Sequence, residues 1–110
     1  MPSKLEGVRP EHVALYWPHV SAWIGEAIRD CGHCWDLENV RDDLERRELQ
    51  LWVIWNGAEM HGCICTQIYE TPRGKTCAMP VVFCEDMAEN IGVLDIIERW
   101  AKSQGCKRAL

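Results

Sequence analysis

The chain has 110 residues, 12 Lys and Arg against 17 Asp and Glu for a formal net charge of −5, and 47% hydrophobic content. Such a chain fits one globular domain and excludes intrinsic disorder, collagen-like repeats and coiled coil. The acidic balance argues against a nucleic-acid partner, which needs clustered Lys and Arg; Arg46-Arg47, Arg73-Gly74-Lys75 and Lys107-Arg108 are too short to form a patch.

No apolar run approaches the roughly 20 residues of a membrane span. Met1-Pro2-Ser3-Lys4 lacks the apolar stretch of a signal peptide, so the expectation is a cytoplasmic protein with no membrane partner. The seven cysteines are an odd number and fall short of a disulfide scaffold, and without an export signal they read as reduced thiols.

In chain order, Arg9-Pro10-Glu11 looks like a helix start, followed at helical spacing by Val13, Tyr16, Trp17, Val20, Trp23, Ile24, Ala27 and Ile28. Pro18 removes a backbone donor, which predicts a short turn ending near Tyr16 and a new helix from Pro18 to about Asp30. Asp36 fits an N-cap for a second helix, Leu37 to Arg47, with Val40 and Leu44 on its apolar stripe. The period then changes to two. Leu49, Leu51, Val53 and Trp55 alternate with Gln50, Trp52 and Ile54, and Asn56-Gly57 predicts a hairpin turn that sets Val53 opposite Met60, Leu51 opposite Gly62 and Leu49 opposite Ile64.

Thr71-Pro72-Arg73-Gly74 predicts a second turn into a third strand, Lys75 to Cys84, with Cys77, Met79, Val81 and Phe83 on one face; Pro80 marks an edge or a bulge. The other sheet face, with Trp52, Ile54, Cys63, Cys65, Tyr69 and Val82, is too apolar for water, so helices are expected on both faces. A last helix from about Met87 to Gln104 supplies Val93, Ile96, Ile97, Trp100 and Ala101 as its buried stripe, stops at Gly105, and leads into a strand beginning at Cys106 that fits a parallel crossover. The predicted fold class is α/β, in the order ααβββα(β). Trp23, Trp55 and Trp100 fall on buried faces, while Trp17 and Trp35 are candidates for an exposed contact surface.

The segments Leu49 to Gly57, Thr66 to Lys75 and Ile96 to Cys106 together resemble short proteins of tailed bacteriophages with a GNAT-like (Gcn5-related N-acetyltransferase) fold, over roughly Asp36 to Leu110. The resemblance implies a mixed sheet with an antiparallel three-strand meander flanked by helices. It also implies a place for acetyl-coenzyme A between the strand before the long helix and the strand after it, against Val81, Val82, Phe83 and Cys84, with its pyrophosphate on the loop at the helix N-terminus, near Asn90 and Gly92. Of the family's Gln/Arg-x-x-Gly-x-Gly/Ala loop, Glu89 to Leu94 keeps only Gly92, and Glu85, Asp86 and Glu89 crowd the place of the phosphates. A carboxylate about 5 Å from a phosphate charge costs on the order of 3 kcal/mol at an effective dielectric near 20, less in salt.

Family members usually continue through another strand, a helix and a hairpin that often carries the general-acid tyrosine, so the resemblance implies an abbreviated or partial fold. Candidates for a general base are Glu70, Glu85 and His61. The expectation is a degenerate, phage-encoded relative of the acetyltransferases that works through contacts with a protein partner, virion-associated or host-interacting. The alternative is an active acetyl-coenzyme A-dependent N-acetyltransferase.

A third reading rests on Cys31-Gly32-His33-Cys34, the tetrapeptide of protein disulfide isomerases. It follows a helical pattern rather than a strand, so an interhelix turn with semi-buried cysteines is the bland reading beside thiol redox or zinc chemistry at Cys31 and Cys34. A zinc site needs two more ligands, and His61, Cys63 and Cys65 share one strand face without matching a zinc module.

Overall fold

A computed structural model describes residues 4–31, 36–85 and 92–109, without the side chains of Asp30, Cys31, Pro80, Arg108 and Ala109. The elements are β1 (Lys4–Val8), a 3-10 turn (Pro10–His12), α1 (Val13–Cys31), α2 (Leu37–Glu45), β2 (Gln50–Asn56), β3 (Glu59–Thr71), β4 (Gly74–Cys84), α3 (Gly92–Ser103) and β5 (Cys106–Ala109). They build a five-stranded sheet in the order β1-β2-β3-β4-β5, antiparallel except for the parallel β4–β5 pair across α3. The expected mixed sheet, its meander and its parallel last strand are all present.

Helices cover both faces. Val13, Val20, Ile24 and Ala27 of α1 and Val40 and Leu44 of α2 pack on Leu51, Val53, Cys63, Cys65 and Val81, while Val93 and Ile97 of α3 pack on Ile54 and Ile64. Ile97 is fully buried, but Ile96 is 43% exposed, so the stripe of α3 is narrower than its apolar residues suggest. The predicted start of this helix near Met87 lies outside the described residues.

Pro18 does not divide α1; it lies inside one continuous helix. The carbonyl it leaves without a helical donor belongs to Ala14, and both residues are exposed, so solvent can serve that group and the neighbouring turns hold the helix together. The helix α2 starts as expected, with the Asp36 carboxylate accepting from the Glu38 N–H at 2.9 Å. It stops at Glu45, before the predicted Arg47. There the Arg47 N–H donates to the Leu44 carbonyl and the Glu48 N–H to the Asp43 carbonyl, with Arg47 left-handed at φ 66°. This is a Schellman ending with arginine where glycine is usual.

The first hairpin has a different register from the one predicted. Asn56 pairs with Glu59, so the turn residues are Gly57 and Ala58, and the positive φ falls on Gly57 at 64°. Trp55 then pairs with Met60 but Ile54 with Gly62, leaving His61 as the extra residue of a β-bulge. The shifted turn and the bulge together move the pairing by an odd number of residues, which exchanges the faces of β3. Val53 lies opposite Cys63, Leu51 opposite Cys65 and Trp52 opposite Ile64. Cys63 and Cys65 therefore pack beneath α1 and α2, Ile64 packs beneath α3, and Tyr69 is 39% exposed.

The strand β4 changes face along its length. Cys65 pairs with Val81 and Gln67 with Ala78, so Met79 and Pro80 together span the step that Thr66 spans alone. This bulge, expected from Pro80, sends Cys77 and Met79 toward α3 and Val81 and Phe83 toward α1, not all four to one side.

The strand β1 has no counterpart in the predicted order. Its stability is tertiary: it pairs with β2, the Gln50 amide donates to the Val8 carbonyl at 2.8 Å, and the Tyr16 hydroxyl donates to the Glu6 carboxylate at 2.7 Å. That last bond, with burial and the carboxylate charge adding to it, pushes the Tyr16 phenol up from its ordinary range. Gly7 lets the Trp52 ring lie over β1, since a Cβ there would stand 3.3 Å from Trp52 Cζ3.

Candidate functional site

The parallel pair β4–β5 is short. It joins Lys75 to Cys106, Thr76 to Arg108 and Cys77 to Ala109, while β4 runs on to Cys84. Among the described residues, positions 78–84 of β4 have a strand on their β3 side alone. The bulge at Met79 and Pro80 begins this open stretch.

The candidate cofactor residues sit along it in different settings. Val81 is buried beneath α1, Phe83 stacks on Trp23 of α1 with ring centroids 5.4 Å apart, and Val82 and Cys84 are half-buried toward α3. Gly92 opens α3 and is exposed, and among the described residues, its own helix backbone apart, nothing lies within 4 Å of where a Cβ would be. Asn90, Asp86 and Glu89 lie outside the described residues.

Of the candidate bases, the structure brings two together. Gly62 pairs with Cys84, and the Glu85 N–H donates to the His61 carbonyl at 3.0 Å, so the bulged His61 and the strand-ending Glu85 share one corner. His61 Nδ1 is 3.9 Å from a Glu85 carboxylate oxygen, and Nε2 is 3.5 Å from one of Glu59. With His19, Trp23, Trp55 and Met60 they line a cavity of about 560 Å³. Glu85 stands five residues beyond Pro80, roughly 16 Å along the strand from the bulge. Glu70 is elsewhere: it is exposed, opposite Lys75, roughly 30 Å along β3 from His61. The aromatic lining of the corner was not legible as a site, because only the Gly62–Cys84 register brings β3 and the end of β4 beside α1.

The thiols Cys63 and Cys65 are core residues. Desolvation pushes the Cys63 thiol up to about 12 and, with the neighbouring Cys63, raises Cys65 as well. A group held neutral in this way is a poor metal ligand, and among the described residues no three His, Cys, Asp or Glu side chains are placed to hold a metal ion. Cys31 ends α1, its side chain lies outside the described residues, and Cys34 lies outside them altogether. Trp17 is half-buried with the Arg41 guanidinium 5.6 Å above its ring, a packed position rather than a bare contact surface. Trp35 lies outside the described residues.

Neither a protein-family model nor a curated protein sequence matches the chain. Solved structures do. An aminoglycoside acetyltransferase from an uncultured soil metagenomic sample superposes with a TM-score of 0.71 at 15% identity, covering 100% of this chain and 78% of that one. A predicted acetyltransferase from Clostridium acetobutylicum, solved with acetyl-CoA, gives 0.67 at 11% identity over 98% of this chain and 79% of its own. A GCN5-related N-acetyltransferase from Ralstonia eutropha JMP134 gives 0.64 at 14% identity, over 98% and 81%. At such identities the likeness establishes the fold, which is GNAT-like.

Proposed function

We propose that this chain binds an acyl-coenzyme A along the open edge of β4 and acts as an acyltransferase-type protein. The observation that carries the reading is the bulge at Met79 and Pro80, which begins the 78–84 end of β4 in a GNAT-like fold of which one structural neighbour was solved with acetyl-CoA. A strand edge offers a row of backbone donors and acceptors, and an extended ligand with spaced amides, such as the pantetheine arm, pairs with it as an added strand does. Val82 and Cys84 give this edge an apolar flank toward α3, and Gly92 leaves space at the helix N-terminus. These residues fit the arm. When bound, the cofactor supplies a thioester as acyl donor; the chain's own part is to fix the arm along β4.

The phosphate end is less favourable. Glu85, at the end of β4, has a side chain 52% exposed and places a carboxylate at the entrance to the segment that joins β4 to α3. Repulsion between that charge and phosphates favours weak binding that improves as salt is raised. The same carboxylate favours a second reading, a GNAT-fold protein that acts through a protein partner and makes no use of the cofactor.

Isothermal titration with acetyl-coenzyme A and coenzyme A at low and moderate salt separates the two. The acyl-coenzyme A reading expects saturable binding that tightens with salt. No binding at either salt, by a protein that unfolds cooperatively, overturns it and leaves the contact role.

A further inference from the structure

A second cavity, of about 550 Å³, lies at the other side of the sheet, where β1 ends. Strand β1 is three strands from β4, roughly 14 Å across the sheet, so this cavity is separate from the open β4 edge. Its walls include Arg9, Glu11, Arg47, Gln50, Trp52 and Trp100. In a chain with 17 acidic and 12 basic residues, two arginines and one glutamate in its lining make it a locally basic site.

Three features make it a formed site. Trp52 and Trp100 meet edge to face, with centroids 4.9 Å apart and planes at 76°, and Trp52 Nε1 donates to Thr66 Oγ1 at 3.0 Å, which fixes that ring. The Gln50 amide nitrogen donates at 2.8 Å to both the Val8 and the Leu51 carbonyls, so this lining side chain is held in place. Arg47 holds the left-handed position that ends α2, with φ 66°. Glycine takes that conformation freely and an L side chain takes it at a cost. Strain kept where a side chain lines a cavity is a pointer to use of that side chain.

We propose that this cavity binds a small organic anion carrying a planar ring. Arg9 and Arg47 take the anionic group, and Trp52 and Trp100 take the ring. The volume is within the usual range of small-ligand sites, roughly 300–1,000 Å³. Guanidinium groups suit both phosphate and carboxylate, so the shared chemistry is an aryl phosphate or aryl carboxylate. The proposal does not depend on acyl-coenzyme A binding.

The test is titration of the full chain with phenyl phosphate and with benzoate, followed by calorimetry and tryptophan fluorescence, with inorganic phosphate and benzylamine alongside. At least one of the two ring-bearing anions is expected to bind at least tenfold more tightly than inorganic phosphate, with benzylamine silent; whichever binds identifies the anionic group. Arg47→Gly removes the guanidinium and relieves the left-handed residue. It is expected to keep or raise Tm, to weaken the ring-bearing anion at least tenfold and to leave acetyl-coenzyme A binding unchanged. Arg9→Gln tests the other cation, with the same weakening expected. The proposal is overturned if neither ring-bearing anion binds at millimolar concentration, if benzylamine binds as well as they do, if folded Arg47→Gly binds them unchanged, or if it loses acetyl-coenzyme A instead.

Discussion

At Gly62 the backbone of β4 lies close against β3, beside the corner formed by His61 and Glu85. A Cβ added there would lie 2.2 Å from the Phe83 carbonyl oxygen and 2.8 Å from Cys84 Cα. Both neighbours are backbone, so no side chain can turn aside, and the strands must separate by about 1 Å to regain ordinary contact. Overpacking of this kind costs about 1–3 kcal/mol, and the Glu85 to His61 backbone bond, stretched by the same movement, adds about 1 kcal/mol. Gly62→Ala is therefore expected to destabilise by about 2–4 kcal/mol, which lowers Tm by roughly 8–16 °C in a domain this size. The control is Gly25→Ala in α1, where a Cβ meets nothing within 4 Å. Helix propensity there favours alanine by about 1 kcal/mol, so Tm rises by roughly 4 °C. Thermal unfolding followed by circular dichroism reads both. A Gly62→Ala protein within about 1 kcal/mol of the parent would refute the close approach of β3 and β4 on which the corner depends.

Asp36→Ala removes the cap of α2 and is expected to cost about 1 kcal/mol, read as a lower urea midpoint with unchanged slope. The Cys63 thiol sets a pH dependence: the unfolded chain loses this proton near the ordinary value of 9.0, whereas the folded chain holds it up to about 12. The folded-state value is raised for an acid that is neutral when protonated. Above pH 9 the unfolded state therefore binds fewer protons, and stability falls by about 1.4 kcal/mol per pH unit between the two values. Urea midpoints at pH 7, 9 and 10.5 should show this fall in the parent and a smaller one in Cys63→Ala; parallel lines would contradict the burial of this thiol. Glu85→Gln should tighten acetyl-coenzyme A by roughly fivefold at low salt, equivalent to about 1 kcal/mol after screening, and by less at high salt. An unchanged affinity at low salt would remove Glu85 from the phosphate end.

The alternating run before Asn56 located the β2–β3 hairpin, and Pro80 located the bulge of β4, because both are local backbone constraints. The hairpin register was not legible. One positive φ at Gly57 and one extra residue at His61 decide it, and the composition of β3 is apolar enough to suit either face. The strand β1 was hidden for a different reason: Lys4 to Val8 has no clear alternation, and its place is set by Gly7 beneath Trp52 and by Gln50. Pro18 misled because a helix-breaking cost is tolerable where the abandoned carbonyl is exposed. At the candidate site, the acidic Glu85 was readable from sequence and its meeting with His61 was not, since that needs the Gly62–Cys84 pairing. The Cys63 and Cys65 spacing on one strand face gave no sign that both thiols would be sealed beneath α1 and α2.

Hydrogen–deuterium exchange with and without saturating acetyl-coenzyme A tests the central claim most directly. Residues 78–84 of β4 have a partner strand on one side among the described residues, and exchange there should slow when an extended ligand pairs with the other edge. The account predicts protection concentrated in 78–84 and at the start of α3, with β1 and β2 unchanged. Binding that leaves 78–84 unprotected, or protects the end of β1 and Trp52 instead, would contradict it.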